Sequence, residues 1–243
     1  MTIPPKSLLI PQLQLLVLAE QLLYGVKTET ATDDIERALS DISLPALIAG
    51  LCDDNAKKTF WINIYNAWFQ ILAIRLGKTQ PQIFTEKLIG IAGIQFSLDD
   101  IEHGILRKYR WKYSLGYLPQ FNPAPHITQL CVAIIDYRIH FALNCGAKSC
   151  PPIAFYQYEQ LQTQLTMATN SFLNAETTID APSKIVKVNR IMLWFNGDFG
   201  GNRGITQMLT TYCAHDVRAY RIVFNPYDWS ALLKNYVAES RGE

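Results

Sequence analysis

The sequence has little net charge, no long unbroken apolar run and no second cysteine pair of the kind that holds zinc. It carries 22 Lys and Arg against 21 Asp and Glu, a formal charge of +1. That balance gives no electrostatic footprint for DNA, RNA or an anionic membrane. The densest basic run, Arg107, Lys108, Arg110 and Lys112, reads as a solvated helix end. The apolar stretch from Leu8 to Leu23 is broken by Pro11, Gln12, Gln14 and Glu20, too polar and too short to span a bilayer. Met-Thr-Ile-Pro-Pro-Lys at the start lacks the basic, apolar and small-residue regions of a signal peptide. A cytoplasmic protein with no nucleic-acid or membrane partner is expected. The five cysteines (Cys52, Cys131, Cys145, Cys150 and Cys213) are an odd, scattered set, expected to be reduced there. Cys52, Cys131 and Cys213 read as small apolar fillers.

What the sequence does contain is nearly half apolar, with 18% charged residues, so it reads as globular and long enough for one sizeable core. Residues 8–25 and 33–51 read as helices. A third runs from Asp54 or Asn55 to Gly77, a C-cap. Ile89–Ile91 and Ile94–Ser97 flank Ala92-Gly93 as a hairpin. Ser97 and Asp100 form a capping-box pattern that opens a helix to Tyr109. Further on, Tyr158–Leu173 reads as helix, Lys184–Val188 as strand, 194–204 as a flexible glycine-rich loop and Ile205–Cys213 as helix. The segregated pattern predicts an α+β fold, helices packed on a small, mostly antiparallel sheet. Residues 1–54 form an N-terminal helical extension and 55–243 the core domain.

The densest chemistry lies in Arg138 through Pro152. Alternation places Ile139, Phe141 and Leu143 on one face and Arg138, His140 and Asn144 on the other, the period of a half-buried strand. The turn after it holds Cys145, Gly146, Lys148, Ser149 and Cys150. Along an extended strand, His140 and Cys145 would lie roughly 16 Å apart, so that pair cannot react within one straight strand. A chain reversal at Gly146 brings Cys150 back towards His140, and His103 can approach either thiol from its own helix. Lys148 would favour a thiolate if its ammonium pointed at the sulfur. Four residues separate the two cysteines, which also permits a disulfide if the turn closes to about 4.4–6.8 Å between α carbons. That spacing is not Cys-x-x-Cys, and no second Cys pair supports zinc; no metal or cofactor is assigned.

Two helices add polar groups. Helix 57–76 is apolar almost all round, with Thr59, Asn63, Asn66 and Gln70 in one narrow sector. Neutral amides there either tie the helix to neighbouring loops or line a polar cavity. In helix 98–109, Glu102 falls in the apolar sector, and His103 lies outside it, one turn from Asp99. A carboxylate aimed at a core must pair, with Arg138 a candidate partner, or stay protonated. Asp198-Phe199-Gly200 resembles a kinase tripeptide but has no other kinase element around it, so it is discounted.

Four blocks occur together: Phe60 to Ala67, Ser97 to Arg107, Arg138 to Ile153, and Tyr227 to Ser230. In this order they resemble the domain of unknown function 547 family over residues 55–235. Ala231 and Leu232 depart from the Leu-Asn the resemblance leads one to expect. The resemblance implies a domain found in bacteria and plants, sometimes joined to other modules and sometimes exported, and it carries no assigned activity.

Two functions follow from the residues. In the first, the domain is an enzyme for cysteine-dependent acyl transfer or hydrolysis, with Cys145 or Cys150 as nucleophile, His140 or His103 as base and Glu102 as a perturbed acid. Asn63, Asn66, Arg138, Asn144 and Lys148 would then orient the ligand. In the second, the same residues are structural, and the domain binds a small molecule, a peptide or a protein. Trp111, Tyr113, Tyr117 and Phe121 would suit such a surface.

Overall fold

The computed structural model describes residues 6–238. Residues 1–5, where the leader features were sought, lie outside that range. Helix α1 (Lys6–Thr28) is followed by α2 (Asp33–Asp41) and α3 (Leu44–Gly50). The expected continuous helix over 33–51 is therefore broken. Ser43 caps α3 by accepting from the Ala46 N–H, and Pro45 sits in the new first turn, where its missing N–H costs nothing.

Helix α4 (Asp54–Gln70) is capped by Asp53, which accepts from the Ala56 N–H at 2.9 Å. It continues into a wider π-helical turn, Ile71–Arg75. Phe60, Trp61, Ile64 and Tyr65 are buried, as are its polar residues Thr59, Asn63, Asn66 and Gln70. A helix buried on every side belongs at the centre of a fold, and α4 is that centre. Helix α1 packs along it, and Leu15, Leu22 and Leu23 share its core.

Next come α5 (Gln82–Thr85) and the hairpin β1 (Ile89–Ile91) and β2 (Ile94–Phe96), antiparallel with Ile89 opposite Phe96. Its turn residues Ala92 and Gly93 both have positive φ, as a two-residue hairpin requires. The Ser97–Asp100 capping box forms reciprocally, with both hydrogen bonds at 3.0 Å. It opens a π-helical segment, Asp100–Leu106, and then α6 (Pro125–Leu130) follows.

Residues 137–141 are a 3₁₀ turn and not a strand. Asp136 caps it by accepting from the Arg138 N–H, and Ala142 N–H closes onto Ile139 O at 2.9 Å. The alternating pattern misleads because Ile139, His140, Phe141, Leu143 and Asn144 are all buried, so no face is left for solvent. A short 3₁₀ turn, Tyr158–Gln160, leads into α7 (Leu161–Glu176). The rest is β3 (Thr178–Asp180), β4 (Ile185–Val188), α8 (Ile191–Trp194), α9 (Gly201–Tyr212) and β5 (Arg221–Phe224). Strands β3 and β4 pair antiparallel, and β5 adds parallel to β4. The fold is α+β, with two small sheets among helices. A second core, built from Phe141, Phe172, Val188, Met192, Phe199 and Leu209, adjoins that of α4. Among the described residues, no helix is long and apolar enough to cross a membrane.

Candidate functional site

A cavity of about 500 Å³ opens where the two cores meet, lined by Leu143 of the first and Ile191 of the second. Tyr65, Glu102, His103, His140, Cys145, Cys150 and Tyr227 are among its polar and sulfur groups, with Asp99 and Lys112 also on its lining, and Trp194, Phe195 and Trp229 form an aromatic wall.

Arg107 and Asp198 lie directly behind it, both with fully buried side chains. The Arg107 guanidinium donates to both Asp198 oxygens, with Nη2 to Oδ1 at 3.3 Å. His140 Nε2 meets Asp198 Oδ2 at 2.9 Å, and the ring stacks on Phe195 with centroids 4.0 Å apart. Burial holds His140 below the ordinary imidazole range, against the pull of Asp198. Burial pushes Asp198 up, but the hydrogen bond from His140 and the Arg107 guanidinium outweigh it and hold the carboxyl below its ordinary range. A neutral His140 next to an acceptor-only carboxylate carries its proton on Nε2. Its Nδ1 is then a free lone pair, with no hydrogen-bond partner among the described residues.

Arg107 Nη1 also approaches His103 Nδ1, at 2.7 Å. Because guanidinium only donates, Nδ1 accepts and His103 carries its proton on Nε2, 3.5 Å from Asp99 Oδ1. Burial and then Arg107 push His103 well below the usual imidazole range. Glu102 accepts from the Tyr65 hydroxyl at 3.1 Å, not from Arg138 as the sequence suggested. Burial raises its carboxyl to about 7, against the opposing pull of Arg107. The arrangement keeps one buried arginine, one buried carboxylate and two neutral imidazoles around a carboxyl that titrates near neutrality.

The Gly146 turn brings the α carbons of Cys145 and Cys150 to 6.2 Å, within bridging reach as the spacing allowed, and the two are joined as a disulfide where reduced thiols were expected. Gly146 has φ +72°, and a Cβ there would lie 2.4 Å from the Phe69 ring. The chain after β5 straps the turn down. Lys148 N–H donates to Ser230 O and Leu232 N–H to Gly146 O, both at 2.8 Å. This strap brings Tyr227, whose hydroxyl lies 3.3 Å from Cys145 Sγ and 3.0 Å from Cys150 Sγ. Cys150 Sγ also accepts from the Cys145 N–H at 3.0 Å. Neither sulfur hydrogen-bonds a histidine among the described residues.

Other residues singled out in the sequence sit elsewhere. Asn63 clamps the Tyr156 backbone through both ends of its amide, at 2.8 and 3.0 Å. Asn66 bridges Ala142 O and Asn144 N–H, at 3.0 and 2.9 Å. Asn144 in turn donates to Pro151 O and accepts from the Gly146 N–H. None of the three lines the cavity; the amides tie α4 to its neighbouring loops. Arg138 pairs with Asp136 at 2.8 Å and reaches Gln162 and Thr166. Lys148 is exposed and faces Asp228, not a sulfur. Cys52, read as buried, is exposed. Residues 194–204 border the cavity through Trp194 and Phe195, and their stretch 195–200 forms a hydrogen-bonded turn between α8 and α9 that places Asp198 behind it.

The model of the family described as "Protein of unknown function, DUF547" matches residues 50–173. The chain belongs to this family. The matched DUF547 segment holds every cavity residue up to Cys150, while Asp198, Trp194, Tyr227 and Trp229 lie beyond it. No curated protein and no solved structure matches the chain. The residues missed in the sequence are Arg107, Asp198, Tyr65 and Tyr227. Arg107 left a trace, one helical turn after His103 on the same face. Asp198 left none, because its partners lie far away in sequence.

Proposed function

We propose that this DUF547 domain, with its cysteine pair reduced, catalyses cysteine-dependent acyl transfer or hydrolysis. The observation that carries the reading is His140, held by Asp198 with Nδ1 unpaired, in the same cavity as Cys145 and Cys150. A dithiol reductant first opens the bridge and is itself oxidised. The thiol then attacks an acyl carbonyl. An S–C bond forms, the thiol proton passes to His140 Nδ1 and on to the leaving group, and the C–leaving-group bond breaks. Water or another acceptor cleaves the thioester and restores the thiol. Two donors, the Cys145 N–H and the Tyr227 hydroxyl, favour a thiolate at Cys150. In this reading the working form is cytoplasmic, where thiols stay reduced, and residues 1–54 act as a support for α4.

The bridge itself favours a second reading, a non-catalytic module that binds a small molecule, peptide or protein in the aromatic-walled cavity. One experiment separates the two. Protein reduced with dithiothreitol is mixed with p-nitrophenyl acetate, and the acetylated residue is mapped by mass spectrometry. Acylation of Cys150 or Cys145 that His140→Ala slows and Asp198→Asn also slows supports the enzyme. A thiol that acetylates no faster than Cys52 leaves the binding module.

A further inference from the structure

A second groove, of about 890 Å³, shares no lining residue with the cavity. One wall is the solvent face of α9, including Arg203, Gln207 and Thr210, and the other is Arg218, Arg221 and Ile222 at β5. Among the described residues, Arg203, Arg218 and Arg221 and no carboxylate line it, in a chain with 22 Lys and Arg against 21 Asp and Glu. Arg218 is neutralised by Asp216 at 2.6 Å. The Arg203 and Arg221 side chains are exposed and have no ion pair or hydrogen bond among the described residues. Two uncompensated guanidiniums therefore face the groove.

The backbone adds a second, independent feature. Among the described residues, strand β5 stands at the end of its sheet, bonded only to β4. Arg221 N–H donates to Lys184 O at 2.9 Å and Asn225 N–H to Val188 O at 2.8 Å. Alternation along a strand turns Ile222 and Phe224 the other way, and their main-chain groups have no partner among the described residues. An edge of this kind is a template for one more strand.

We infer that this groove is a docking site for an extended acidic peptide, which adds as a strand to the open edge of β5 and pairs its carboxylates with Arg203 and Arg221. Main-chain bonds to Ile222 and Phe224 set its position, and the guanidiniums select for acid, since planar donor forks match carboxylates. The site is independent of the proposed chemistry in the cysteine cavity.

The test uses the full chain and a fluorescein-labelled peptide of alternating Glu and Val, followed by anisotropy. Saturable binding is expected, weakened by added salt and about tenfold weaker in the Arg203→Gln/Arg221→Gln double variant. Slower hydrogen exchange at the Ile222 and Phe224 amides on binding would mark strand addition. The matching Gln–Val peptide, and a Glu–Val peptide interrupted by proline, should bind poorly. Binding that the double variant leaves intact, or that the Gln–Val peptide matches, overturns the proposal. So does no binding. Displacement by inorganic phosphate together with undiminished binding of the proline peptide would instead make this a simple anion site, and would equally overturn strand addition. Both substituted arginines are exposed, and an unchanged circular dichroism melt confirms that the variant is folded.

Discussion

The Tyr65 hydroxyl donates to Glu102 at 3.1 Å, and this one bond links the central helix to the carboxyl whose proton is lost near neutrality. Burial is the main reason that Glu102 rises from 4.5 to about 7. The folded chain thus keeps a proton that the unfolded chain releases, so this group's contribution to stability falls as pH rises between those values. The loss is complete above the higher one. The shift corresponds to about 3 kcal/mol. His103 and His140, both held below 6.5, work in the opposite direction at lower pH. The informative quantity is therefore the difference between the parent and Glu102→Gln. Urea unfolding from about pH 5 to about pH 8 should show the variant gaining relative stability with pH. A difference that does not change with pH would contradict the raised carboxyl.

Asp198 balances Arg107, and neither side chain reaches solvent. Asp198→Asn should cost about 3–5 kcal/mol, because a buried guanidinium is left without its counter-charge. Pairing it with Arg107→Met removes that orphan, so the double variant should unfold at higher denaturant than Asp198→Asn alone. Additive losses in such a cycle would mean that the two side chains do not interact.

The thiols should separate by state. Without reductant, iodoacetamide should label the exposed Cys52 first, with Cys131 and Cys213 slower because burial pushes both thiols up. Cys145 and Cys150 should stay silent until dithiothreitol is added and then react, more slowly in His140→Ala. Site-resolved mass spectrometry reads each rate. Labelling of the pair before reduction would show that the bridge is open in solution.

Asn66 satisfies two buried main-chain groups at once, the Ala142 carbonyl and the Asn144 N–H. Asn66→Ala should therefore cost about 3 kcal/mol in urea unfolding, more than one hydrogen bond accounts for. The same turn carries His140 towards the cysteines, so hydrogen exchange should quicken at residues 142–146 in particular.

The elements with strong local signals were legible. The Ala92-Gly93 hairpin, the Ser97–Asp100 capping box and α4 all form from rules acting within a few residues. The turn at 137–141 was misread because period-two alternation assumes one wet face, and here both are dry. Glu102, His103, His140 and both cysteines, singled out because polar groups in apolar settings stand out in a sequence, line one cavity. Asn63 and Asn66 stood out for the same reason, yet they serve the backbone. Arg107 was mistaken for a surface charge because its counter-charge, Asp198, comes from a distant loop that only the fold brings near.

The reach of Asp198 back to Arg107 and His140 also bears on how this chain can be cut. The family match ends at residue 173, so a fragment trimmed to the matched region would keep the arginine and the imidazole and lose the carboxylate between them. It would keep Phe172 against Phe141 but lose Phe199 from the same cluster, and remove the strap that closes the cysteine turn. Such an excised piece would hold the matched cavity residues in an open and unbalanced form. The stretch that the family model marks is shorter than the stretch that closes the cavity.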